Sequence, residues 1–218
     1  MTREEIAERI KKRKVIAIVR GQSPETLTPL AGALSRGGVD LMEITFQQGH
    51  PETWRETVEG IREITALYGE SLLCGAGTVM SVEQVRLAHK AGAKYIISPN
   101  VEEEVIRETV RLGMVSLPGA MTPTEIAAAY AYGADAVKVF PAGSLGPDYL
   151  RALRGPLGHI PLLAVGGVSE RNAAEFLRAG AAGLGIGGGL VDGALIAAGN
   201  FDEITRIARL YRAAVDAA

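Results

Sequence analysis

Short runs of β-branched and aliphatic residues recur along the chain, separated by longer stretches in which apolar residues return at helical spacing. The runs are VIAIV (15 to 19), DLMEIT (40 to 45), SLLCGAG (71 to 77), KYIIS (94 to 98), MVSLP (114 to 118), DAVKVF (135 to 140), IPLLAV (160 to 165) and AGLGIG (182 to 187). Each has strand length, and their near-continuous apolarity fits strands covered on both faces. The intervening segments open on helix-start signals at Ser23-Pro24, Ser81 with Gln84, Thr122-Pro123 and Ser169 with Asn172. Glycines stand where those helices should end, at Gly37-Gly38, Gly92, Gly113, Gly133 and Gly180. Strand starts lie about 20 to 32 residues apart, the length of one βα unit. Eight such units without a compositional break predict a single (β/α)8 TIM barrel spanning residues 1–218. The segment up to Lys14 is expected as an extra N-terminal helix closing the barrel's bottom, and Asp202 to Ala217 as the last outer helix.

Composition narrows the class of partner. The chain has 218 residues, 47% hydrophobic and 22% charged, with a formal net charge of −2. That balance gives no electrostatic reason to expect nucleic acid or an anionic membrane. No apolar run reaches the roughly 18 residues that a membrane span needs. The single cysteine, Cys74, leaves no internal disulfide and no multi-cysteine metal site, which suits a reducing cytoplasm. The 27 glycines gather in clusters such as GAG, GGV and GIGGG, which marks tight loops where backbone approaches a ligand.

In a barrel, reactive groups gather at the C-terminal ends of the strands. Those ends carry Arg20, then Glu43 and Thr45, Gly77 and Thr78, Ser98-Pro99-Asn100, Pro118-Gly119, and Lys138 with Phe140. The last two end in Val165-Gly166-Gly167-Val168 and in the glycines Gly185 and Gly187 to Gly189. Glu43 and Thr45 share one face of the pleat, as do Lys138 and Phe140. The glycine loops of strands seven and eight suit a phosphate held by backbone amides, and GLVDG (189 to 193) is long enough for a short helix whose dipole would assist. The bland alternative is that these glycines only let crowded loops turn.

Lys138 sits where an interior strand would carry another aliphatic side chain. It could form a structural ion pair with Glu43, bind an anion, or act as a Schiff-base nucleophile. Burial lowers a lysine's pKa and frees the amine, whereas a nearby carboxylate favours the ammonium, and the residues alone leave that contest open.

The motifs IVRG (18 to 21), MEITF (42 to 46), GAGTV (75 to 79), ISPN (97 to 100), PGAMTPTE (118 to 125), KVFPAG (138 to 143), GGV (166 to 168) and the glycine-rich stretch after strand eight resemble one family in this order. It comprises the class I 2-keto-3-deoxy-6-phosphogluconate (KDPG) and 4-hydroxy-2-oxoglutarate (KHG) aldolases, and the resemblance covers essentially the whole chain. It implies Lys138 as the Schiff-base lysine, Glu43 as general acid/base and Phe140 as the ring beside the imine. Arg20 and Thr78, with the Gly75 to Gly77 backbone, would bind the carboxylate of the pyruvyl moiety. Pro99, and Gly166, Gly167, Gly187 and Gly188 at the strand-seven and strand-eight ends, complete the expected substrate-binding set. The implied reaction cleaves KDPG to pyruvate and glyceraldehyde 3-phosphate, a step of the Entner-Doudoroff pathway, with no metal or other cofactor. The family also implies a homotrimer. The three histidines, His50, His89 and His159, fall in loop or helix positions and are expected at the surface.

Departures from the family pattern qualify the substrate. Gln47 replaces a common arginine, Val165 a common threonine and Gly188 a common serine. Val165 also occurs in the galactonate branch, which acts on the C4 epimer of KDPG (KDPGal), and the lost hydroxyls keep the unphosphorylated KHG as an alternative. From other classes, the residues also fit a phosphate-binding isomerase or epimerase with Glu43 as base, or a barrel that has lost catalysis. Trp54 and Tyr68 are expected to pack, Cys74 to be a small buried residue, and the basic run Arg9 to Lys14 to form a solvated helix face.

Overall fold

All eight expected strands form in the computed structural model, which describes residues 1–218. They are β1 (Val15–Val19), β2 (Leu41–Thr45), β3 (Leu73–Gly77), β4 (Tyr95–Ile97), β5 (Val115–Leu117), continued beyond Pro118 by β6 (Gly119–Ala120), and then β7 (Val137–Val139), β8 (Leu162–Val165) and β9 (Gly183–Ile186). Helices alternate with them: α1 (Arg3–Arg13), α2 (Pro24–Arg36), α3 (Trp54–Tyr68), α4 (Val82–Ala91) and α5 (Glu103–Arg111) in the first half. The second half adds α6 (Pro123–Ala131), α7 (Ala142–Leu157), α8 (Ala173–Arg178), α9 (Gly193–Ala197) and α10 (Phe201–Asp216).

Every strand pairing is parallel, in the order β5-β4-β3-β2-β1-β9-β8-β7-β6. The two ends of that order are one polypeptide strand. Proline has no N–H to give to a ladder, so the fifth strand breaks at Pro118. Its first half pairs with β4 and its second half with β7, while the Pro118 carbonyl accepts from the Lys138 amide at 2.8 Å. The nine strand segments are therefore a barrel of eight strands, closed through a strand that proline divides.

Side chains alternate cleanly across the barrel wall. Val15, Ala17 and Val19 of β1 and Met42 and Ile44 of β2 point outward into the layer beneath the helices. Ile16, Leu41, Leu73, Tyr95, Val115 and Leu163 point inward and meet Ile6 and Ile10 of α1. Thus α1 does plug the bottom, and full burial of two isoleucines stabilises that closure by about 1.5–3 kcal/mol each. Tyr95 of β4 reaches over β3 to donate its hydroxyl to the Met42 carbonyl of β2 at 2.6 Å. Gly75 makes room for it, since a Cβ there would lie 2.2 Å from the ring.

Three local expectations change. The basic run on α1 is only partly solvated: Arg9 and Arg13 grip the two carboxylate oxygens of Asp40 at 2.7 Å each, fastening the plug to the base of β2. Ser23 and Ser169 do not cap helices through their side chains, although Ser81 and Thr122 do. The stretch 189–192 is turn and loop, and the short helix before the last one, α9, starts only at Gly193. No helix is long and apolar enough to cross a membrane.

Candidate active site

At the open end of the barrel a cavity of about 750 Å³ is lined by groups from nearly every strand end. Lys138, Glu43, Arg20, Thr78, Pro99 and Phe140 face it, as do Gly166, Gly167, Gly187 and Gly188. Gly77 does not. It lies behind Glu43, where a Cβ would stand 2.7 Å from the carboxyl carbon, so a glycine is what lets the Glu43 side chain stay upright in the lumen. Thr45 is one pleat further on, buried beside Gly77 and away from the cavity.

Lys138 and Glu43 rise from β7 and β2 as titratable groups inside an otherwise apolar lumen, 8% and 2% exposed. Their contest, open in the sequence, is decided by burial. Desolvation is the largest influence on each: it pushes the Glu43 carboxyl up to about 7 against the opposing pull of Lys138 and Arg20. It also lowers the Lys138 ammonium below the ordinary lysine range, outweighing the opposing Glu43 carboxylate, while Arg20 lowers it further. The two form no salt bridge, and Glu43 Oε2 is buried without a hydrogen-bond partner. An unpaired carboxyl oxygen and a poorly solvated amine facing one cavity are suited to proton transfer and to nucleophilic attack. Phe140, 39% exposed, sets its ring 4.9 Å from Lys138 Nζ. Gly166 accommodates that ring, since a Cβ there would approach it to 2.9 Å.

One end of the cavity is cationic. Arg20 stands exposed at its mouth and pairs with no carboxylate of the chain. At the end of β3 Thr78, which also lines the cavity, adopts a left-handed backbone, φ 54°. A β-branched residue avoids that region, and holding it there costs about 1–3 kcal/mol that the surroundings must supply.

The loops after β8 and β9, the latter adjoining β1, present backbone to the cavity instead. The amides of Gly166, Gly167, Gly187 and Gly188 donate to no acceptor in the protein, and Gly166 and Gly167 are consecutive residues of positive φ, 85° and 73°. Added Cβ atoms at Gly187 and Gly188 would meet nothing within 4 Å, so those glycines leave space in the cavity itself. A cluster of free amides suits an anion. The helix terminus expected to help is already used: the Asp192 carboxylate accepts from the Ala194 and Leu195 amides at 2.8 and 3.0 Å. Ser169, which sequence reasoning assigned to a helix cap, instead lines the cavity and restores one hydroxyl to this end. Its signal was hidden because Asn172, three residues on, takes the Ser169 amide at 2.8 Å and delays the helix to Ala173.

The histidines are all exposed, as expected, and no group of three or more His, Cys, Asp or Glu is arranged to hold a metal. Trp54 packs edge-on against Phe46 with centroids 5.8 Å apart, and Tyr68 packs on the outer core. Cys74 is buried, and burial raises its thiol pKa, which keeps it unreactive.

The family described as KDPG and KHG aldolase matches residues 6–207. The 2-dehydro-3-deoxy-6-phosphogalactonate aldolase of Escherichia coli (strain K12) is 37% identical over 205 residues, covering 94% of this chain and 97% of its own. A solved structure described as native KDPGal superposes with a TM-score of 0.84 at 36% identity, covering 93% of this chain and 94% of that one. A KDPG aldolase from Legionella pneumophila, solved with pyruvate captured as a covalent carbinolamine, gives a TM-score of 0.81 at 26% identity over 90% of this chain and 92% of its own.

Proposed function

The chain belongs to the KDPG and KHG aldolase family, and from that premise we propose that it cleaves a 2-keto-3-deoxy-6-phosphoaldonate through a Schiff base on Lys138. The observation that carries this reading is the placement of Lys138: an amine buried in the lumen, facing one cavity with Glu43 and 4.9 Å from the Phe140 ring, its pKa lowered by desolvation. An amine held this way attacks a ketone, and the covalent carbinolamine captured in the Legionella pneumophila enzyme is an adduct of this kind.

The steps follow from the chemistry of an amine and a carboxyl group facing one cavity. The Lys138 nitrogen adds to the C2 carbonyl to give a carbinolamine, which loses water to an iminium. Glu43 takes the proton of the C4 hydroxyl, the C3–C4 bond breaks, and its electrons pass into the iminium to leave an enamine as glyceraldehyde 3-phosphate departs. Protonation at C3 and addition of water then free pyruvate and restore the amine. With a pKa of about 7, Glu43 can both take and return a proton near neutrality. Phe140 packs beside the imine, Arg20 and Thr78 bind the substrate carboxylate, and Pro99 borders that end. The free amides of Gly166, Gly167, Gly187 and Gly188, with Ser169, receive the phosphate. No metal or other cofactor takes part.

The gluconate epimer, KDPG, is the substrate the resemblance implies. A second reading, its C4 epimer KDPGal, is favoured by Val165 in the cavity wall and by the galactonate enzyme of Escherichia coli. Residues 1–218 act as one barrel, supported by the single closed sheet. The family resemblance supports a homotrimer, and the lone buried thiol suits a reducing, cytoplasmic setting.

Borohydride reduction in the presence of pyruvate tests the chemistry. A stable mass increase located on Lys138, absent from a folded Lys138→Ala protein that has also lost cleavage, is the expected result. An isomerase using Lys138 only for its charge would leave the lysine unmodified.

A further inference from the structure

Thr78 needs external support to hold its left-handed backbone, and the support comes from two glutamines outside the cavity. Gln84 lies in the first turn of α4 and is fully buried. Its Oε1 accepts from the Met80 amide at 2.7 Å and from Gln48 Nε2 at 3.2 Å. Its Nε2 donates to Gln48 Oε1 at 3.1 Å. Gln48, on the loop after β2, also donates through Nε2 to the Thr78 carbonyl. The Val79 amide is fixed to the Ile97 carbonyl at 3.1 Å. Three consecutive residues after β3 are therefore each tied down, two of them by the paired amides.

The choice of an amide is informative. At α1 and α6 the residue in the same position of the first turn is a glutamate, Glu5 or Glu125, which only accepts, from backbone N–H groups and at Glu125 also from the Thr122 hydroxyl. A carboxylate is the better partner for a helix N-terminus. At α4 the side chain must also donate, to Gln48, and only the amide does both. The group is thus fitted to the loop that carries Thr78 rather than to the helix it belongs to.

We propose that Gln84 is a positioning residue for substrate binding: through Gln48 it locks the Thr78 turn so that Thr78 faces the cavity. This rests on the reading of Thr78 as a ligand of the keto-acid carboxylate. The two glutamines then act as one unit on affinity and leave the Lys138 chemistry alone.

Gln84→Glu keeps the acceptor for Met80 and removes the donor to Gln48, while Gln48→Ala removes the bond to Thr78 from an exposed position. Half-saturating pyruvate in borohydride trapping and the KM for cleavage should each rise about tenfold in both variants, with kcat changed by less than about twofold. The double variant should be no worse than the weaker-binding single one, because both act through the same turn. Unchanged half-saturation in the folded Gln48→Ala and Gln84→Glu proteins, additive effects in the double variant, or a loss confined to kcat and thermal stability would each overturn the inference while leaving the lyase reading intact. A wild-type protein that traps no pyruvate would remove both.

Discussion

Glu43 carries a cost of burial that should be visible in stability. Its carboxyl titrates near 7 when folded against an ordinary 4.5, because desolvation outweighs the attraction of Lys138 and Arg20. Between those two values the unfolded chain has released a proton that the native state still holds, so this residue's contribution to stability falls as pH rises from about 4.5 to 7 and is level below that window. Glu43→Gln removes the titration. Denaturant unfolding of both proteins across that range should show the wild type losing stability relative to the variant, and parallel curves would contradict a buried, proton-retaining Glu43. The same variant should cleave about 10²- to 10⁴-fold more slowly, as loss of a general acid/base does. Lys138 behaves with the opposite sign: lowered below the ordinary lysine value, it makes the native state more stable relative to the unfolded chain as pH rises between the two. The identities of both groups were readable from the sequence as polar residues ending apolar strands. Their protonation was not, because it depends on how much water the closed lumen excludes.

At the level of elements, the plug and the rim separate stability from binding. Ile10 of α1 packs against the inward side chains at the bottom of the barrel, and Arg9 and Arg13 hold the helix to Asp40. Ile10→Ala should cost about 2–5 kcal/mol in urea unfolding while the KM for cleavage stays at the wild-type value, since α1 closes the end remote from the cavity. A raised KM with unchanged stability would mean that the plug reaches the site. The eight strands and most helix starts were legible because periodicity and capping are local. Two features escaped for different reasons. The division of strand five at Pro118 shows only when its halves pair with different neighbours, and Ser169 was drawn from a cap into the cavity by a competing bond from Asn172.

Over the whole molecule, one cavity gathers a side-chain cation at Arg20 and a cluster of free backbone amides at the β8 and β9 loops. Two kinds of anion-binding group in one cavity fit a substrate that carries both a carboxylate and a phosphate. Cleavage rates for KDPG, KDPGal and 4-hydroxy-2-oxoglutarate should therefore show both phosphorylated hexonates exceeding the short acid in kcat/KM by about tenfold or more. The galactonate epimer should at least equal the gluconate one, given Val165. Preference for the unphosphorylated acid would assign the amide cluster another role. What the sequence determined alone was the set of parts: alternating strands and helices, the lysine and glutamate at strand ends, and the glycines that bare the backbone. These follow from short-range patterning, which each segment carries within itself. The tertiary structure alone decided which strand ends share a cavity, that burial outweighs attraction between Lys138 and Glu43, that Asp192 occupies the α9 terminus, and that Gln48 and Gln84 meet behind Thr78. Each of those depends on distances and solvent exclusion between segments far apart in the chain, which exist only once the barrel has closed.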